Sequence, residues 1–66
     1  MKNNIKVQRA IANLTQEDLA KLVSVSRQTI NAMEANKYVP STVLSLKIAR
    51  VFKKPLEEIF FLQEDD

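Results

Sequence analysis

Arg27, Gln28, Thr29 and Asn31 crowd one short stretch of the chain, and each carries a side chain that can donate hydrogen bonds. Arg offers a planar fork of N–H groups for an anionic oxygen or an edge with two acceptors, and Gln and Asn each set a donor beside an acceptor. In the same stretch, SVSRQTINAMEANKY from Ser24 to Tyr38, the apolar Val25, Ile30 and Met33 fall at the spacing of a helix face turned to a core. A helix that only filled a domain has no use for four such donors beside its start. The chemistry implied is recognition through hydrogen bonds.

Composition narrows the other chemistries. The chain has 66 residues, room for one domain at most, and 45% of them are hydrophobic against 27% charged. There is no Cys, which removes disulfides, thiolate metal sites and a thiol nucleophile, and no His, the usual general base and commonest metal ligand. No metal or cofactor is expected. The paired acids Glu17-Asp18 and Glu57-Glu58, and the run Glu64–Asp66, sit at expected helix starts or in the tail, where capping and solvation account for them. With no Gly-rich phosphate loop either, an enzyme is not expected. No apolar run approaches the ~20 residues of a membrane span and no signal-peptide pattern opens the chain, so the expectation is a cytoplasmic protein.

The formal net charge of +2 hides a segregation. Residues 1–54 carry ten basic groups against three acidic ones, a net of +7, whereas residues 55–66 carry five acidic groups and no basic one, a net of −5. A basic body suits a polyanion such as nucleic acid; a solvated surface of Lys and Arg would account for the same charge.

The elements that must position these groups are short and helical. Ile5, Val7, Gln8, Ile11 and Ala12 give an amphipathic helix from about Asn4 to Ala12. Thr15 caps a second helix, with Glu17 and Asp18 in its first turn and Leu19, Leu22 and Val23 on its core face. Ser26 caps a third, from Arg27 to about Ala35. Pro40-Ser41 precedes a fourth, lined by Val43, Leu44, Leu46, Ile48, Val51 and Phe52, and Pro55 suits the first turn of a fifth, ending near Glu58. The following Ile59-Phe60-Phe61-Leu62 is β-prone, and could pair with Met1–Asn3 as a small sheet. There is no Gly anywhere, so any turn needing positive φ must use Asn, Ser or Lys.

Only Ser24 and Val25 separate the second and third helices, too short a link for an antiparallel hairpin. Such a corner sets two helices at about 90–120°, the helix-turn-helix arrangement. Ala20 is small where the helices approach, Val25 plugs the turn, and Leu19, Val23, Ile30 and Met33 can share a core.

Across nearly the whole chain the sequence resembles the small Cro/C1-type (XRE family) helix-turn-helix repressors. The resemblance rests on L-T-Q-E-D-L-A at 14–20, V-S-R-Q-T-I at 25–30, M-E at 33–34, K-Y-V-P-S at 37–41 and I-A at 48–49. P-L-E-E-I-F at 55–60 is similar to the stand-alone subgroup typified by the cytolysin-operon repressor. Ser24 departs from the Gly that many such proteins have at the corner: either the corner avoids strain, or Ser tolerates it at some cost. The resemblance implies an all-α, five-helix lambda-repressor-like DNA-binding domain over residues 1–66, and a regulator of transcription, a repressor, as its function.

In a helix-turn-helix the second helix enters the major groove and its N-terminal residues reach base edges. Gln28 then suits adenine, and Arg27 guanine or phosphate. Ser26, Thr29 and Asn31 are further candidate contacts to phosphate or bases. The resemblance implies that Gln16, at the start of the preceding helix, contacts the DNA backbone and supports the reading Gln. Asn36, Lys37 and Tyr38, just past the third helix, are further candidate phosphate contacts, with Tyr38 equally readable as a ring at the core edge. For each, the plain alternative is a solvent-facing polar residue. The resemblance also implies a structural ion pair between Arg9 and Glu34.

One recognition helix reads too few base pairs to find a site in a genome, so a two-fold homodimer on a palindromic operator is expected. Leu56, Ile59, Phe60, Phe61 and Leu62 are the densest apolar cluster, in the acidic segment that DNA would repel. The expected interface is Leu56, Ile59 and one of Phe60 and Phe61, with Val39 at its edge, unless all of them close the monomer core. With no effector domain and no sizeable ligand pocket expected, regulation would work through protein concentration, dimerisation or a separate partner protein. The rival reading is an antitoxin or adaptor-type interaction module on the same fold. RNA is a poorer match, because the chain has only four aromatic residues for stacking.

Overall fold

The computed structural model describes all 66 residues, in the order β1 (Lys2–Asn3), α1 (Ile5–Ala12), α2 (Gln16–Leu22), α3 (Arg27–Glu34), α4 (Thr42–Phe52), a 3-10 turn (Leu56–Glu58) and β2 (Phe60–Phe61). Three of the four α-helices begin on a hydroxyl cap. Thr15 Oγ1 accepts from the Asp18 amide at 3.0 Å while Asp18 Oδ2 accepts from the Thr15 amide at 3.0 Å, a reciprocal capping box. Ser26 Oγ accepts from the Thr29 amide at 3.2 Å, and Ser41 Oγ from the Leu44 amide at 3.1 Å. At α1 the N-cap residue Asn4 makes no side-chain cap bond; Asn3 Oδ1 instead accepts from the Ile5 amide at 3.1 Å.

All four α-helices end in the same way. Asn13, Ser24, Asn36 and Lys53 each take positive φ, between 56° and 62°, one residue or two past their helix. Each closes a pair of backbone bonds onto the last turn: Leu14 to Arg9 and Asn13 to Ala10, Val25 to Ala20 and Ser24 to Lys21, Lys37 to Ala32 and Asn36 to Met33, Lys54 to Ala49 and Lys53 to Arg50. These are Schellman closures, usually built on Gly. The glycine-free chain therefore uses Asn, Ser and Lys at its left-handed turns, and Ser24 sits in the strained conformation at φ 62°.

The fifth helix is a correction. Pro55 stands before the turn rather than in it, and only the three residues Leu56–Glu58 wind, as 3-10, before the chain straightens into β2. The aromatic pair Phe60-Phe61, which favours extended backbone, follows Ile59 directly and ends the winding. The terminal sheet does form: β1 and β2 pair antiparallel, with Lys2 opposite Phe61 and Asn3 opposite Phe60.

The core comprises Ile5, Leu19, Ala20, Val23, Ile30, Met33, Leu44, Ile48, Ala49, Phe52, Ile59 and Phe60. The helical periodicity named more residues than this. Val7, Ile11, Leu22, Val43 and Leu46 are all more than half exposed, because each short helix meets too few neighbours to bury a full face. On α1 the buried positions are Ile5 and Gln8, a narrow stripe one turn apart. α2 and α3 pack more extensively on each other than any other pair of helices, through Leu19, Val23, Ile30 and Met33. No helix is long and apolar enough to cross a membrane.

The strained caps give a stability test. Lys53→Gly and Ser24→Gly should each stabilise the domain by about 0.5–1 kcal/mol in urea denaturation, the relief of left-handed strain outweighing the freer unfolded chain. Asn36→Gly should be near neutral, since Asn tolerates this conformation.

Candidate nucleic-acid interface

The arrangement is organised from behind by one carboxylate. Glu34, the last residue of α3, accepts from Arg9 of α1 twice, Nε to Oε2 at 2.6 Å and Nη2 to Oε1 at 3.0 Å. Gln16, the first residue of α2, donates its Nε2 to the same Oε1 at 3.2 Å. The remaining Arg9 nitrogen, Nη1, donates to the Leu14 carbonyl at 2.9 Å, in the connection between α1 and α2. The Arg9 and Glu34 side chains are 14% and 8% exposed, so water competes weakly for either. Donating to the Glu34 carboxylate holds the Arg9 guanidinium above its ordinary pKa, against a smaller opposing effect of burial. The three helices that frame the turn are thus tied at a single point.

With α3 held in this way, its two sides differ sharply. Ile30 and Met33 are fully buried, while Arg27, Gln28 and Asn31 are exposed and make no side-chain hydrogen bond within the chain. Ser26 and Thr29 are partly occupied. Their hydroxyls lie 3.0 Å apart and share one hydrogen bond, which leaves one O–H of the two free to donate outward. Lys37 and Tyr38 follow on the exposed segment after α3, the tyrosine ring 45% exposed and its hydroxyl without a partner in the chain. Asn36 is committed differently. It is the left-handed closing residue of α3, and its side chain meets only a long 3.5 Å bond from Asn3.

Beside the start of α2 lies an open depression of about 470 Å³, walled by Arg9, Asn13, Thr15, Gln16 and Arg27 among others. Its volume is that of a small-ligand site, larger than the sequence suggested, but of its lining only Ala10 and Leu14 are apolar. It is open to solvent and suits a polar group. Arg27 at the start of α3 and Gln16 at the start of α2 both line this depression.

The expected dimer residues separate into two sets. Ile59 is fully buried and Phe60 is 9% exposed, both inside the monomer core, and neither can serve a partner surface without opening the fold. Phe61 points the other way at 40% exposed, as the alternation of a strand requires. Val39 and Leu62 are exposed, and Leu56 is half-buried against the core.

Two asparagines add side-chain roles in this region. Asn13 walls the depression from the α1 cap, and Asn3 bonds the end of α3 from the terminal sheet. An Asn just past a helix with no Gly available was the only signal for the first; nothing local marks the second.

A capped helix set across its neighbour by a tight corner, with one side buried and a row of unpaired polar groups on the other, defines a helix-turn-helix domain. Comparison with known proteins agrees: the family model described as helix-turn-helix matches residues 5–59. An uncharacterized HTH-type transcriptional regulator of Methanocaldococcus jannaschii is 54% identical over 66 residues, covering all of both chains. Another from Archaeoglobus fulgidus is 50% identical over all of this chain and 93% of its own, and YgzD of Bacillus subtilis is 44% identical over the whole of both. The chain belongs to the XRE-type helix-turn-helix family.

Glu34→Gln should destabilise the domain by about 2–3 kcal/mol, somewhat below the loss of a fully buried pair because the amide oxygen still accepts. The Arg9 side adds no pH dependence in the ordinary range. Its raised pKa keeps its contribution intact below the unfolded value, to be lost only in strong alkali. Asp18 behaves oppositely. Its pKa is lowered by hydrogen bonds from the Thr15 backbone and side chain, so its contribution is fully present above the ordinary Asp value and is lost as pH falls below that value and through the lowered folded one. Thermal melts from about pH 5 down to about pH 2 should therefore show an acid limb that Asp18→Asn makes shallower.

Proposed function

We propose that the chain is a sequence-specific, double-stranded DNA-binding regulator of transcription that acts as a repressor, binding a palindromic operator as a homodimer with α3 in the major groove. The observation that carries this reading is the division of α3: Ile30 and Met33 are sealed in the core while Arg27, Gln28 and Asn31 stand unpaired outside. Unpaired amides and guanidinium groups on a rigid helix match the donor and acceptor edges of the major groove. Relatives named as transcriptional regulators support the same reading.

Roles follow from position. Gln28 and Asn31 occupy the outward row and read bases. Arg27, beside Gln16 in that depression, bonds phosphate together with the second amide N–H of Gln16. The Ser26–Thr29 pair offers its single free O–H to the backbone, and Lys37 and Tyr38 hold the next phosphates along. Asn36 acts through its backbone turn. The basic body faces the polyanion while the acidic tail faces away.

The partner surface consists of Phe61, Leu62, the exposed part of Leu56, and Val39 at its edge. A domain of 31 × 22 × 20 Å covers roughly one turn of duplex. A two-fold pair therefore suits half-sites about 34 Å apart. The cytolysin-operon subgroup, with its short stand-alone repressors, is the finer assignment consistent with this arrangement.

Gel shifts with the duplex upstream of the gene, with random duplex and with matched RNA test the reading. Gln28→Ala should cost about 1–3 kcal/mol on the operator and relax specificity at one base pair, whereas Lys37→Ala should weaken operator and random duplex alike and lower the salt slope by about 1. An unchanged specificity ratio in Gln28→Ala would reduce Gln28 to a surface residue. Sedimentation equilibrium of Phe61→Asp should show a folded monomer with weakened operator binding; a wild type that is monomeric both alone and on the operator defeats the dimer.

A further inference from the structure

Asn3 makes contacts beyond its bond to the start of α1. It belongs to β1, where it stands opposite Phe60. Its Oδ1 accepts from the Ile5 amide, and its Nδ2 donates to the Met33 carbonyl at 2.8 Å and to Asn36 Oδ1 at 3.5 Å. One side chain thus meets the terminal sheet, the start of α1 and the end of α3. The bond to Met33 is the only one that any side chain in the molecule gives to a carbonyl of α3.

The end of α3 needs such a donor. Its last turn holds no basic residue, and the nearby Arg9 guanidinium is spent on the Glu34 carboxylate rather than on the helix carbonyls. The closing turn rests on Asn36 in the left-handed conformation, with the Asn36 amide on Met33 and the Lys37 amide on Ala32. Lys37 and Tyr38 follow directly. Their placement relative to α3 depends on that turn staying closed.

We propose that Asn3 is a positioning residue for DNA recognition: it couples the β1–β2 sheet to the turn that ends α3, so that Lys37 and Tyr38 are held against the backbone only while the sheet is paired. This rests on the DNA-binding reading. The outward face of β2 carries Phe61, so whatever covers Phe61 steadies the sheet and, through Asn3, the grip on phosphate. By linkage, DNA bound at Lys37 steadies the sheet by the same factor.

Asn3→Asp tests the coupling, because it keeps the acceptor for Ile5 and replaces the amide donor with an oxygen facing the Met33 carbonyl. Asn3→Ala, which cannot repel that carbonyl, serves beside it. Two measurements are made where both variants remain folded: amide hydrogen exchange of the free protein, and the salt dependence of binding to a random duplex. The Asn36 and Lys37 amides should exchange about 5–10 times faster while Leu19 and Val23 keep their protection. The salt slope should fall by about 1, as in Lys37→Ala. Uniform acceleration at all four amides makes Asn3 a general stabiliser and overturns the proposal, as does unchanged exchange at Asn36 and Lys37. If wild type binds with a steep salt slope and Asn3→Asp and Asn3→Ala retain it, the coupling alone fails. A wild type with no salt-dependent duplex binding defeats the DNA reading and this proposal with it.

Discussion

The Glu34 carboxylate ends α3 where the helix's own carbonyls already concentrate negative charge, so its place there depends on Arg9 reaching it from α1. Because the guanidinium bonds both oxygens and the Leu14 carbonyl as well, it fixes the connection between α1 and α2 at the same time. Gln16 completes the junction on the shared oxygen. A domain with no cysteine, no cluster of metal-ligating side chains and a core of only twelve residues has few other ways to hold three short helices in one relation. Hydrophobic contact between α2 and α3 is non-directional; this junction supplies direction.

The junction also accounts for which groups remain available. Gln16 spends one of its two amide N–H groups on Glu34, so the second N–H and the backbone carry any outward role. Arg27, on the far wall of the same depression, has no carboxylate partner and keeps its full charge for an external anion. Two arginines close together thus do different work: one is neutralised to build the fold and the other is left charged at its surface.

Much of this was legible because it is local. Thr15, Ser26 and Ser41 announce their helices through hydroxyls that can reach an amide three residues on, and the two-residue corner at Ser24-Val25 admits few geometries. The absence of Gly correctly confined the left-handed turns to Asn, Ser and Lys. What the sequence could not show depends on how many neighbours an element finds. Val7, Ile11, Leu22, Val43 and Leu46 carry a sound helical period, yet a domain this small has nothing to lay against them. Likewise the period of two in Phe60-Phe61 says that the rings diverge, but only the pairing of β1 with β2 decides which turns inward. The fifth helix failed for a related reason: three residues between Pro55 and an extended segment cannot complete an α-turn. Asn3 was illegible because its partner lies 30 residues away.

The four left-handed caps carry a thermal consequence. Each non-glycine residue there stores strain that is largely enthalpic, so it changes little as the solution warms. What the chain gains by omitting glycine is a stiffer unfolded ensemble, and that entropic gain is multiplied by temperature. A side chain that is a net burden in the cold thus becomes progressively less of one on heating. Ser24 and Lys53 tilt the stability curve toward the warm side, and a domain without glycine is matched to a warmer optimum than its contacts alone would suggest.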